Sequence, residues 1–267
     1  MIRIERSIPA PYLLAVLLLC LGHLSCSGQK VQEGISPGDR LALADELRSR
    51  GKCLQAVEEY EKLLSEFPTP QVAEAARFNL AMCHLTLEQY DLARSEFEDF
   101  IDSYPRSDRV DNAIYMVAMT YLDAAPRPER DQTDTVQAMN ELVVLLREYP
   151  DSDIRTEAES ALAECRSRLA EKEYLAGKLY MKLKSYGAAR IYFDSVLETY
   201  GDTPWAALAM LMKGRALAEE KMYDEAEAVF RNVLEDYPDS QAGLEAAREL
   251  KELEHVQPAG GHSGSQD

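Results

Sequence analysis

Apolar residues recur along the chain at helical intervals of three and four, in segments that proline or glycine interrupts at long, regular distances. The pattern is plainest at Tyr223-Asp-Glu-Ala226-Glu-Ala-Val-Phe230, which runs on through Asn232-Val-Leu-Glu-Asp-Tyr237 to Pro238. The same punctuation falls at Pro68, Pro105 and Pro150, with Gly201 where a further proline would stand. Eight residues before each lie Tyr60, Phe97, Leu142, Phe193 and Phe230; twelve before lie Ala56, Ala93, Ala138, Ala189 and Ala226. Fifteen before lie Cys53, Tyr90, Thr135, Tyr186 and Tyr223.

Small and large residues at fixed offsets predict a pair of antiparallel helices in every unit. The alanine lets the two helices approach, the ring four residues on fills the space between them, and proline ends the second helix. Each pair leaves apolar surface that only the next pair can cover. These positions, with Ala44, Ala81, Gly177 and Gly214 in the first helices, resemble the tetratricopeptide repeat over about residues 39–240. The expectation is an all-α solenoid of about five helix pairs: repeats 1–3 over 39–150, then repeats 4–5 and a capping helix over 151–255. Such a motif specifies a fold, not a function.

Two intervals exceed the basic 37 residues. Pro105 to Pro150 holds eight extra, and because Ala118 keeps its offset they fall in Ala125-Pro-Arg-Pro-Glu-Arg-Asp-Gln-Thr133, a loop inside the third unit. Pro150 to Gly201 holds fourteen extra, nearly four helical turns. Thr156 to Leu183 has no glycine or proline except Gly177, so one helix is expected over about 152–183, about 45 Å long. Thr69-Pro70, Thr203-Pro204, Ser107, Ser152 and Ser240 are the expected helix starts. Asp151-Ser-Asp153 could hold a cation, but capping and dipole compensation explain it more simply.

The ends read differently. Arg3 and Arg6 precede the short apolar run Tyr12–Leu21, which is too short to span a bilayer and reads as an export signal over residues 1–25. It ends in His23-Leu-Ser-Cys26, similar to a bacterial lipobox except for His23, which makes Cys26 the expected lipidation site. An ordinary signal peptide cut near Ser25 is the alternative. Two or more acyl chains would anchor the chain stably. Residues 26–38 read as a flexible tether and 256–267 as a disordered tail. Cys53, Cys83 and Cys165 suit small core positions better than a bridge, although export would permit one.

At 267 residues and 46% hydrophobic the chain can bury a core, and its net charge of −18 argues against a nucleic-acid partner, since phosphate binding needs a clustered cationic surface. Four scattered histidines have no metal spacing, and neither a phosphate loop nor a Gly-x-Ser-x-Gly occurs, so no cofactor, metal or enzymatic role is expected. The informative surface is the groove lined by first helices: Leu41, Asp45 and Arg48, then Phe78, Met82 and Leu85, then Tyr115, Met119 and Leu122. Phe78, Met82, Tyr115 and Met119 suit an extended apolar peptide, because rings and thioethers bury area adaptably. Phe78 and Tyr115 could equally be packing between repeats. The matching positions in the last units, Tyr174, Lys178, Leu211 and Arg215, are more polar, which suggests a second partner.

Several segments resemble the BamD family of lipoproteins from the bacterial outer-membrane β-barrel assembly machinery. They are Tyr149-Pro-Asp-Ser152, Arg130-Asp-Gln-Thr133, Leu169-Ala-Glu-Lys-Glu173, Tyr180, Ala188-Ala189, Val196-Leu197, Tyr200 and Asp202-Thr203. The resemblance implies a cofactor-free scaffold at the periplasmic face of the outer membrane, anchored through Cys26. Its N-terminal repeats would take the C-terminal segment of an unfolded outer-membrane protein, and its C-terminal repeats, with Arg190 as a candidate, would dock on the barrel-forming subunit's periplasmic domains, beside other assembly lipoproteins. A different tetratricopeptide lipoprotein, serving the envelope or cell division, is the alternative.

Overall fold

The structure, a computed structural model, describes residues 34–68 and 70–256. Every regular element within them is a helix: α1 Pro37–Ser49, α2 Cys53–Glu66, α3 Pro70–Thr86, α4 Tyr90–Ser103, α5 Val110–Ala124, α6 Thr133–Glu148, α7 Arg155–Lys182, α8 Tyr186–Thr199, α9 Trp205–Glu219, α10 Tyr223–Asp236 and α11 Gln241–Val256. The first ten form five consecutive pairs, and α11 covers the fifth. The all-α repeat architecture therefore stands. The export signal, Cys26, Thr69 and the tail beyond Val256 lie outside the described residues, and α1 begins two residues before the expected start of the repeats.

Each pair is closed by one small residue against one large one. Ala44, Ala81 and Ala118 in α1, α3 and α5 are fully buried, as are Tyr60, Phe97 and Leu142 in their partner helices. In the last two units the small residue is glycine, for a steric reason. A Cβ on Gly177 would lie 2.5 Å from Phe193 Cε1, and one on Gly214 would lie 2.5 Å from Phe230 Cε1, with both rings fully buried. The rings rest on the backbone of α7 and α9, so interhelix distance is set there by the ring itself.

The turns inside four units share one device. Gly51, Glu88, Lys184 and Lys221 take positive φ of 72°, 57°, 57° and 63°. In each, an amide just past the helix returns to a carbonyl five residues back: Lys52 to Leu47, Gln89 to His84, Ser185 to Tyr180 and Met222 to Leu217. These are Schellman closures, which satisfy carbonyls the helix end would orphan. The third unit departs because its two helices are joined by residues 125–132 instead. Second helices stop on an aromatic, Phe67, Tyr104, Tyr149, Tyr200 or Tyr237, one residue before the proline or Gly201. At Gly201 a Cβ would press to 2.8 Å of the Leu197 carbonyl.

Expected caps divide into two kinds. Ser240 Oγ accepts from the Gly243 amide at 3.0 Å, a true cap of α11. Ser107 and Ser152 instead stand three residues before α5 and α7, accept from the Arg109 and Ile154 amides, and donate to carboxylates on the preceding unit's first helix. Ser107 reaches Glu74 and Ser152 reaches Asp111, each at 2.6 Å, so these serines brace unit to unit rather than cap. Thr203 does not cap α9 either; its hydroxyl donates to the Tyr200 carbonyl at 2.8 Å. The long helix α7 runs for 28 residues, slightly inside the expected 152–183 because Ser152 lies in that bracing turn.

Replacing Gly214 with Ala should gain about 0.5–1 kcal/mol of helix propensity and lose about 1–3 kcal/mol to overpacking against Phe230, a net destabilisation. Urea unfolding should show it, and Gly214→Ala with Phe230→Leu should recover part of the loss. Equal stability of Gly214→Ala and wild type would mean that the ring does not set the spacing.

Candidate functional site

The N-terminal groove is carried by α1, α3 and α5. At its first end Asp45 accepts from the Tyr60 hydroxyl at 2.5 Å and from Asn79 Nδ2 at 2.8 Å, tying unit one to unit two. Burial, then the Asp45 carboxylate, push the Tyr60 phenol well above its ordinary pKa. Beside it Cys83 is buried, its thiol pushed up to about 12 by burial and by the neighbouring Cys53 thiol. Cys165 is likewise buried, and all three are free thiols.

Phe78, Met82, Tyr115 and Met119 are all half-buried and pack against one core cluster that extends from Ala81 to Cys165. Phe78 is wedged edge-on between Phe97 and Phe100, with centroids 5.5 and 5.4 Å away, and the Arg109 guanidinium lies 5.3 Å from its centroid. Tyr115 has its phenol pKa raised by burial and then by the carboxylates of Glu157, Asp123 and Glu164. Leu122 is fully enclosed and has no groove surface.

The matching face of the last units is mostly closed. Tyr174 is buried against Phe193 and Trp205, Leu211 is buried, and Lys178 lies over the Tyr174 ring at 5.4 Å. Arg215 is clamped by Glu249 at 2.6 Å and Glu245 at 3.0 Å, both on α11. Arg190 on α8 lies 3.0 Å from Glu220 across the turn that follows α9. The capping helix thus pairs Arg215, while Lys178 keeps its charge over the Tyr174 ring.

A third region was not apparent as a unit in the sequence. The loop Asp131–Thr133, Val136 of α6, Leu169, Lys172 and Glu173 of α7, and Tyr200 after α8 line one cleft of about 320 Å³. Gln132, 2% exposed, holds the loop: its Nε2 donates to the carbonyls of Arg127 at 2.9 Å and Pro126 at 3.2 Å, while its Oε1 accepts from the buried Thr135 hydroxyl at 2.7 Å. Asp131 accepts from the Thr133 hydroxyl and amide, which hold its carboxyl below the usual range. Across the cleft mouth Arg166 grips Asp202 at 2.9 and 2.5 Å and the Thr199 carbonyl at 2.8 Å, fixing Tyr200. Segments far apart in sequence meet here because α7 carries one past the other. No group of side chains suited to a metal ion occurs among the described residues.

The family described as "YfiO: Outer membrane lipoprotein" matches residues 42–229. An outer membrane protein assembly factor BamD of Caulobacter vibrioides is 26% identical over 209 residues, 76% of this chain and 68% of its own. The protein of that name from Xylella fastidiosa is 23% identical over 239 residues, 85% of this chain and 82% of its own. Among solved structures, the TPR2AB-domain:pHSP90-complex of yeast Sti1 is 17% identical, covers 82% of this chain and 83% of that one, and has a TM-score of 0.43.

Gln132→Ala should leave the Thr135 hydroxyl and two loop carbonyls without their partner, at a cost of about 1–3 kcal/mol. Amide hydrogen exchange over 125–136 should quicken while α1 to α4 stay protected. Unchanged exchange in the loop would show that Gln132 does not hold it.

Proposed function

The chain belongs to the YfiO family of outer membrane lipoproteins, and from that premise we propose that it is a lipid-anchored scaffold of outer-membrane β-barrel assembly. The observation that carries this reading is the breadth of the family match, which runs from α1 into α10 and so takes in all five units with their loop and long helix. Relatives over most of its length are named outer membrane protein assembly factors.

In this reading Cys26 carries the acyl anchor, and the protein works at the periplasmic face of the outer membrane. The second and third units receive the C-terminal, aromatic-ended segment of an unfolded barrel protein. Met82 and Met119 offer deformable thioethers, and Phe78 and Tyr115 offer ring surface, at positions on successive first helices. The C-terminal half docks on the periplasmic domains of the barrel-forming subunit, with Arg190 near that contact. Both tasks are binding tasks, and the scaffold needs neither cofactor nor bond chemistry for them.

Met82→Ala with Met119→Ala should weaken binding of a barrel protein's C-terminal peptide by about tenfold, equivalent to about 1.4 kcal/mol, as read by fluorescence anisotropy on folded protein. Equal affinity would remove the peptide from this groove. In cells, Cys26→Ser should move the protein from the membrane to the soluble periplasmic fraction. If it stayed with the membrane in high salt, the lipid anchor would be the wrong attachment.

A further inference from the structure

Of the three cysteines buried among the described residues, two meet. Cys53 opens α2 and Cys83 lies in the last turn of α3, and both belong to the cluster that packs the first unit on the second. Their thiols are in hydrogen-bond contact. Cys165 belongs to a different cluster, where the groups that act on its thiol are Glu164 and Arg168.

The pair occupies a place that the solenoid repeats. The residue fifteen before each unit-ending proline or Gly201 and the residue fifteen after it stand thirty apart. These positions hold Cys53 and Cys83 at the first joint, Tyr90 and Thr120 at the second, Thr135 and Cys165 at the third, and Tyr186 and Ala216 at the fourth. Cys83, Thr120, Cys165 and Ala216 are all fully buried, so the later position is enclosed at every joint. Only the first joint places a sulfur at both. That joint also holds a terminal unit: among the described residues α1 and α2 pack on each other and on α3 alone, whereas α11 covers the last unit. A terminal unit in a stacked array has one interface rather than two and opens at the lowest cost.

We propose that Cys53 and Cys83 are a disulfide site, a covalent strap that holds the terminal unit closed on the second, and that the structure shows its dithiol form. The proposal rests on the export in the assembly reading, which puts the chain in an oxidising compartment. The oxidant is the disulfide of a thiol oxidoreductase. One cysteine thiolate attacks it, forms a mixed disulfide and releases one donor sulfur; the other cysteine attacks the mixed disulfide, closes the bond from Cys53 to Cys83 and releases the second. Two electrons pass to the donor, and the two thiol protons end on its sulfurs. With Cys53 only 4% and Cys83 0% exposed, and the Cys83 thiol pushed up to about 12, the folded joint offers a donor no thiolate within reach. Exchange therefore takes place before the first unit docks or while it is open, and folding then shields the bond from reduction.

The test has two arms. Cells are lysed into denaturant with an alkylating agent, and the protein is digested with trypsin without reduction; separately, the purified full chain is reduced, unfolded and refolded in a mixture of oxidised and reduced glutathione. Mass spectrometry of both should find the peptide 53–62 joined to 78–94, and the join should vanish on reduction. Because the bond closes a loop of about thirty residues in the unfolded chain, the oxidised form should melt about 5–10 °C above the reduced form of the same chain. Amide exchange should slow in α1 and α2 and stay unchanged in α9 to α11. Refolded chain that keeps both thiols free, carries glutathione on one of them, or joins either to another cysteine overturns the site. Equal melting of the two forms with equal exchange in α1 and α2 overturns the strap. A bond that forms on refolding but is missing from cells upholds the site and counts instead against the oxidising compartment, and so against the assembly reading.

Discussion

Fourteen residues make about 3.9 turns of α-helix, so an insertion of that length brings each side chain beyond it back nearly to the face it would have had. In α7 this lets one rod do the work of two first helices. Its first half closes the third unit through Ala158, Ala161 and Cys165, and its second half seats Phe193 on Gly177. An insertion of twelve or sixteen residues would turn Gly177 away from Phe193 and present a bulkier side chain to a ring with no room to move. Phase, more than length, is what lets one helix serve the core of the third unit with its first half and that of the fourth with its second.

The two halves differ at the surface. The second and third units carry rings and thioethers on one core, and Asp45, Tyr60 and Asn79 tie the first unit to the second. In the last two units the equivalent face is filled by Tyr174, Trp205 and the Arg215 clamp to α11, so a partner of this half must meet other surfaces.

Most of the fold could be read from sequence because repetition makes each position testable five times. The small residue, the ring and the proline recur at offsets that only stacked helix pairs explain, and the eight- and fourteen-residue excesses fell where the loop and long helix are. Capping was harder to read. Ser107 and Ser152 have the residue type of a cap, but a carboxylate on the previous unit competes for each hydroxyl, and nothing local in sequence announces Glu74 or Asp111. The pairing of Arg215 was hidden for a similar reason, since the carboxylates that hold it arrive from α11. The cleft joining the loop at 131–133 to Leu169–Glu173 and Tyr200 depends on where α7 carries its neighbours, which single-segment patterns do not encode.

The central claim of the proposed function is that the peptide groove of the second and third units and the docking surface of the C-terminal half, joined through α7, act independently. It is tested most directly by titrating a barrel protein's C-terminal peptide, by calorimetry, into the free chain and into the chain saturated with the barrel-forming subunit's periplasmic domains. Independent surfaces predict a one-to-one peptide stoichiometry in both and affinities within about twofold of each other, a difference below about 0.5 kcal/mol. Displacement of one ligand by the other, or loss of peptide binding in the complex, would contradict it.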